Sequence, residues 1–448
     1  MFRPLIRSAV VCFAVAATLR AQQSEQDIIR QLTQRLEESE RRIQALEQKL
    51  GMTAAAAASP TVNAVTATNA QIQAPVQAQV QAPVQAAAAA PVEEMQGHNM
   101  QLPGGGPVLN IRGFFDFNFG TGSIANPLIF PIASNGCTVC GNPETPAHSA
   151  FQAGEFDLFM TSKLSDHLSF LTEMVFGTDV TNEVGIDIER YELTYRLNDY
   201  FSASAGRFHT SIGYYNTAYH HGNWFSTAEG RPIMYLFEDS GGVLPVHTIG
   251  VTMTGLVPQT GSLGLHWVAE MGNGRASSPT AEPTQNFYSD RNHKAFNLAA
   301  YIRPEQVRGL QIGGSFYHDR LAPPGLPPVS QDIASGYAVY ITPTWEFLNE
   351  GVLLSNHLDS TGITFRNPMA YTQLSRKFGI YRPYFRYQYV NDRMGDPVNV
   401  LRGLYYGPSV GLRMDFSEYA AFKLQYNRLL KGNLPAANGL NAQIAFTF

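Results

Sequence analysis

The chain has 448 residues and a formal net charge of −5, and 15% of its residues are charged, against about 25% in an average soluble protein. With no basic surplus, the composition excludes a nucleic-acid-binding role. Few charges combined with 27 Phe, 21 Tyr and 39 Gly suit a membrane β-barrel better than a soluble globule.

Residues 1–21 have the form of a secretory signal. Arg3 and Arg7 supply the positive start, Ala9 to Leu19 a short apolar run, and Ala21 a small residue at the cleavage point. The run is shorter than the ~20 apolar residues of a spanning helix. Cys12 lies within it and is expected to leave with the signal.

Residues 22–50 predict a periplasmic coiled coil. Ile29, Leu36, Ile43 and Leu50 recur every seventh position, with Leu32, Ser39 and Leu46 between them at heptad spacing. A helix this short is marginal alone in water, so the pattern predicts self-association, here as a homotrimer. Residues 51–107 are low in complexity and rich in Ala, Pro and Gln, as in A-P-V-Q-A-Q-V-Q-A-P-V-Q. They predict a disordered linker.

From residue 108 onward the pattern changes to period two. Leu109, Ile111, Phe115, Phe117 and Phe119 share one face, and Asn110, Arg112, Asp116 and Asn118 the other. Phe156, Leu158 and Met160 alternate with Glu155, Asp157 and Thr161, and Phe170, Met174 and Phe176 with Glu173. Tyr191, Leu193 and Tyr195 oppose Arg190, Glu192 and Arg196, while Trp267 and Met271 oppose Glu270. Phe385, Tyr387 and Tyr389 oppose Arg382 and Arg386, and Phe422, Leu424 and Tyr426 oppose Lys423. Arg413 and Asp415 belong to the same charged face.

Charges alternating with apolar residues along so many strands, with no helices to cover the apolar side, predict a closed all-β barrel, apolar outside and polar within. Short connections near 165–167, 198–199, 258–260 and 305–308 alternate with long ones at 121–149, 212–245, 273–293 and 320–333. At ~20 residues per strand and turn, about 340 residues give about sixteen strands. An even count places both barrel ends in the periplasm. The last strand, L-N-A-Q-I-A-F-T-F, carries Leu440, Ile444, Phe446 and Phe448 on its apolar side.

These features resemble the bacterial porins. The closing strand ending in Phe446 and Phe448 resembles the assembly signal of outer-membrane barrels. The stretches G-R-F-H-T-S-I-G-Y-Y-N at 206–216 and R-P-Y-F-R-Y-Q-Y-V-N at 382–391 resemble the broad family that includes phosphate-selective porins. The coiled coil before the barrel is similar to that of sugar-specific porins. The resemblance implies a trimer of sixteen- or eighteen-stranded barrels whose third outer loop folds into the lumen. It also implies an outer-membrane location, with lipid and the barrel-assembly machinery as partners, and contact with the cell wall through the coiled coil.

In this chain the corresponding loop is 212–245. It carries His220, His221, Glu229, Arg231, Glu238 and Asp239. Folded inward, its acids would face Arg382 and Arg386 and select solutes by charge. The expected pore lining is Arg112, Asp116, Glu155, Asp157, Glu173, Arg190, Glu192, Arg196, Glu270, Arg382, Arg386 and Arg413, with mixed signs that argue against an anion ladder. Cys137 and Cys140 in the first long loop predict a disulfide in an oxidising compartment. Adjacent His220 and His221 are poor joint ligands for a metal, and no metal or other cofactor is expected. No Ser/His/Asn triad is positioned for hydrolysis. The function expected is passive diffusion of small hydrophilic solutes, with selective uptake of phosphate, another anion or a sugar as the alternative, and a tether to the cell wall as a third.

Overall fold

The computed structural model describes residues 98–100, 107–122, 149–178, 184–219, 222–237, 242–274, 293–322, 327–399, 403–433 and 435–448. The expected signal, the coiled coil, most of the linker and Cys137 and Cys140 lie outside them.

The described chain is almost entirely antiparallel sheet. A short β1 (His98–Met100) precedes β2 (Leu109–Gly122), β3 (Ala150–Lys163), β4 (Leu168–Thr178) and β5 (Val184–Asn198). Then follow β6 (Phe201–His209), β7 (His247–Leu256), β8 (Leu265–Asn273), β9 (Lys294–Ile302) and β10 (Leu310–Leu321). The second half comprises β11 (Val329–Ile341), β12 (Trp345–Leu358), β13 (Thr364–Arg376) and β14 (Tyr381–Asp392). It ends with β15 (Gly403–Asp415), β16 (Ala420–Lys431) and β17 (Ala437–Thr447). Each strand from β2 to β17 pairs with the next, and β17 pairs back onto β2. The result is a closed barrel of 16 strands. Closure leaves no strand edge among them, so every ladder has two partners.

Alternation sorts the side chains as the sequence predicts. Leu440, Ile444 and Phe448 on β17 are exposed on the outside, whereas Asn441, Gln443 and Thr447 are buried toward the inside. Phe385 and Tyr387 point out from β14, and Arg382, Arg386 and Gln388 point in. Register shifts interrupt the wall at three places, and two of them place side chains at the site. One lets Gly154 and Glu155 of β3 face Asp116 together, and one gives β5 an extra residue at Glu189–Arg190 opposite Glu173.

The seam is closed at the last residue. Gly113 N–H donates to the Phe448 carbonyl at 2.9 Å, and Phe448 N–H donates back at 3.0 Å. The Phe448 ring lies over Gly113, where a Cβ would overlap it, and stacks on Phe156 at 6.0 Å between centroids. A larger residue at 113 would push that ring aside.

One segment departs from expectation. Residues 98–100 belong to the predicted disordered linker, yet they form β1, paired His98 to Ile111 and Met100 to Leu109. β1 therefore continues the line of β17 along the part of β2 beyond Phe448. The free backbone groups of Leu109–Ile111 supply the reason, since a neighbouring extended chain satisfies them.

Candidate constriction site in the barrel lumen

The segment 210–246 joins β6 to β7, and its described residues pack inside the barrel. Two short turns shape the described part, a single helical turn α1 (Tyr215–Ala218) and a 3-10 turn at Ile233–Tyr235. Ile212, Tyr214, Tyr215, Ile233, Met234 and Tyr235 are buried in one cluster with wall residues of the opposite side. These include Leu348, Val352 and Leu354 of β12, Met369 and Tyr371 of β13, and Val390 of β14. The expectation of a uniformly polar inner face is thus corrected for β12 and β13. The physical reason is the loop itself, whose apolar side chains need dry partners. Each fully buried one contributes about 1.5–3 kcal/mol.

Polar contacts fix the position of that cluster. The Glu350 carboxylate accepts from Tyr214 N–H at 2.6 Å and Tyr215 N–H at 2.9 Å. It also accepts from the hydroxyls of Tyr235 at 2.8 Å and Tyr371 at 2.6 Å. At the loop's root, Glu270 accepts from Ser211 N–H at 3.0 Å and from the Ser211 hydroxyl at 2.6 Å. Thr227 donates to Glu346 at 2.9 Å, and Ile233 N–H donates to Gln388 at 2.7 Å.

The wall cations bind the loop's backbone. Arg386 donates to Gly230 O at 2.9 Å and to Gln373 at 2.8 Å. Arg413 donates to Trp224 O at 2.6 Å, Ser226 O at 2.9 Å and Asp415 at 2.7 Å. Lys423 donates to Asn223 O, and to Ser226 Oγ at 3.2 Å. Irregular backbone inside a barrel leaves carbonyls without ladder partners, and these three side chains satisfy them.

This arrangement differs from the expected field between loop acids and wall arginines. The described loop acid, Glu229, accepts from Gln425 at 3.2 Å and Asn441 at 3.0 Å, both amides of β16 and β17. Burial, offset by the Asn441 hydrogen bond and the charges of Lys423 and Arg386, pushes its carboxyl up to about 7. Arg382 donates to Ser375 and to Pro343 O, not to the loop. Arg231 braces the loop internally, donating to Tyr235 O at 2.7 Å with its guanidinium 3.8 Å from the Phe237 ring. His220, His221, Glu238 and Asp239 lie outside the described residues.

The acids sit mainly on the other arc. Asp116 accepts from Asn223 at 2.9 Å and from Asn118 at 2.5 Å. Glu173 pairs with Arg190 at 2.6 Å. Asp157 is buried in the wall, and Glu155 and Glu192 are partly exposed. Arg196 stands at the rim, paired with Asp199 at 2.8 Å and half exposed. Arg112 donates to Thr447 at 2.9 Å and lies 5.4 Å from the Trp224 ring.

Glu350, Lys423, Gln425 and Phe114 carry the loop; Lys423 and Gln425 were expected on a polar face but not as site residues, and Glu350 and Phe114 were not singled out from the sequence. Glu350 lies between Leu348 and Val352 on the same face, so alternation makes its face look apolar. Phe114, which packs on Phe225 at 4.7 Å, sits on a face expected to be polar.

Burial locates the remaining space. The inward side chains of β12 to β14 and of β16 and β17 are covered except near strand ends, as at Leu358, Phe365 and Lys431. Some inward residues of β3 to β11 keep partial exposure, among them Thr161, Glu192, Thr194, Ser204, Tyr301 and Ser315, whereas Asp157, Glu173, Arg207, Glu270 and Asn297 of the same strands are buried.

No family model matches the chain, and no curated protein matches it in sequence. Solved structures do match in fold. The outer-membrane channel DcaP of Acinetobacter baumannii aligns over 79% of this chain and 100% of its own, at 10% identity and a TM-score of 0.55. An anion-selective porin from Comamonas acidovorans aligns over 76% and 100%, at 12% identity and a TM-score of 0.51. OmpF of Salmonella typhi, in complex with daunomycin, aligns over 78% and 100%, at 12% identity and a TM-score of 0.50. The fold is that of the outer-membrane porins.

Proposed function

We propose that the protein is an outer-membrane channel for passive diffusion of small hydrophilic solutes and ions, narrowed by the loop at 210–246. The observation that carries this reading is the loop docked inside a closed barrel. The described part of the loop rests on the arc from β12 to β17, and partly exposed polar side chains, among them Glu192, Thr194, Ser204 and Ser315, remain on strands across from it. A barrel that served only as an anchor would need neither.

The docked loop also supports a selectivity. Arg386, Arg413 and Lys423 direct their donors at loop carbonyls, so they do not form a ladder for anions. Glu155 of β3 and Glu192 of β5 retain partial exposure, and Arg190 is held by Glu173. A narrow water column with low-dielectric walls strengthens the pull of these acids. The channel is therefore expected to prefer cations modestly, and the phosphate-selective alternative is disfavoured by the occupied cations. The sugar-selective alternative is disfavoured because Tyr215, Tyr235 and Tyr371 are buried in the loop's seat.

The heptads at 22–50 support a homotrimer with a periplasmic extension that reaches toward the cell wall. Phe446 and Phe448 support recognition by the barrel-assembly machinery. Conductance in planar bilayers, with the reversal potential in a salt gradient, tests the reading. Steady channels with a small cation-selective potential are expected, and shortening the loop should raise conductance. A folded protein that passes no current would overturn it.

A further inference from the structure

A second connection also turns into the barrel. Residues 393–399, the described part of the connection from β14 to β15, lie at the same end as the constriction loop. Val398 is buried against Leu321 at the end of β10 and Val329 at the start of β11, with Leu358 of β12 packed beside them. Adjacent strands lie ~4.8 Å apart, so reaching from β14 to β10 or β11 takes the loop roughly 15 Å sideways. All of its anchors are on the inner face. Leu321 continues the inward series Tyr317 and Asp319, and Val329 the series Gln331 and Ile333.

Asp396 holds this excursion in place. Its carboxylate accepts from Asn356 of β12 and Asn367 of β13, both at 2.8 Å, and from Val398 N–H at 3.0 Å. Arg393 N–H donates to Asn367 at 2.8 Å, and Asn399 donates to Asp392 at 2.7 Å. Asn356 in turn accepts from Gln331 at 2.9 Å. Asp396 is 2% exposed and Asn356 and Asn367 are 0% exposed, so the network is sealed from solvent. Met394, at the loop's turn, is 73% exposed.

The two loops divide the work by height. Toward the loop end of β10 and β11, Asp319, Leu321, Val329 and Gln331 are fully covered. Toward the end bearing the termini, Gly313, Ser315, Ser335 and Tyr337 of the same strands are partly exposed. We propose that residues 393–399 form an entry baffle, positioned by Asp396, that closes the loop-end mouth over β10 to β13. Solutes entering from that end are then kept off β10 to β13 before they meet the constriction. This rests on the channel reading above. The baffle acts on access, in series with the narrower section below it, so its effect should be specific to one side.

The test compares the rate at which a linear maltodextrin blocks the ion current when it is added to one side or to the other. Two variants are used, Asp396→Ala and a deletion of residues 394–398. The deletion removes no wall residue, so it decides the matter if Asp396→Ala fails to fold. Both should raise the blocking rate severalfold from the loop end and leave it unchanged from the opposite end, with the salt-gradient reversal potential preserved. A rise equal from both ends, or none in a folded deletion variant, overturns the baffle. A wild-type protein that passes no current instead overturns the channel reading itself.

Discussion

Glu350 is the residue on which the constriction most depends. One carboxylate gathers two backbone N–H groups of the loop, one loop tyrosine and one wall tyrosine. Hydrogen bonds to a charged acceptor contribute roughly 1.5–3 kcal/mol each, and they are not additive. Glu350→Ala should release the loop, raising single-channel conductance and its fluctuation in bilayer recordings. Glu350→Gln, which retains two lone pairs, should do so less. Equal conductance in all three proteins would show that the apolar cluster holds the loop alone. Glu229 makes a second case, with a pH signature. Its carboxyl is raised to about 7 by burial, so docking favours the neutral form. That contribution is complete below the ordinary carboxyl range and is lost as pH rises through about 7. Conductance should therefore be lower at about pH 5 than at about pH 8. Glu229→Gln should hold it at the low-pH level throughout, and a pH response that survives in the variant would assign it to another group.

At the scale of elements, the seam between β17 and β2 joins parts of the chain more than three hundred residues apart. Its final contact is a paired backbone bridge between Gly113 and Phe448 with the Phe448 ring seated on the glycine. Gly113→Leu should displace the ring without touching the lumen. The expected outcome is a lower yield of heat-modifiable folded barrel, similar to that of a Phe448 deletion, with unchanged conductance in the channels that do form. A normal yield from both variants would mean that closure does not depend on this contact. The loop at 210–246 behaves differently from a strand, because its backbone has no ladder. Its carbonyls are met by Arg386, Arg413 and Lys423, and its apolar residues by β12 and β13.

For the molecule as a whole, the docked loop covers one side of the inner wall. The basic wall residues Arg386, Arg413 and Lys423 hold it, and Glu155 of β3 and Glu192 of β5 keep partial exposure. Changing Glu155 and Glu192 together to glutamine should move the reversal potential toward zero or toward anion preference, with little loss of folded protein. Partly exposed side chains carry little folding energy. An unchanged potential would place the passage elsewhere.

What the amino-acid sequence determined by itself is the barrel. Period-two alternation is local, so which residues of β2, β14 and β17 face outward can be read without knowing any partner. Strand number, the alternation of short and long connections and the inward-folding candidate loop follow from the same pattern and the family resemblance. What only the tertiary structure decided is who meets whom inside. Glu350, Asp396 and Lys423 acquire their roles from loops that approach from 29 to 200 residues away, and no local period records such distances. Arg386 does act on Glu229 through its charge, but the carboxylate's hydrogen bonds come from the amides of Gln425 and Asn441, because the loop's carbonyls, unpartnered in a strandless segment, take the donors of the nearby cations. β1 likewise became a strand inside a linker composition because the edge of β2 below Phe448 offered it backbone partners that no sequence window displays.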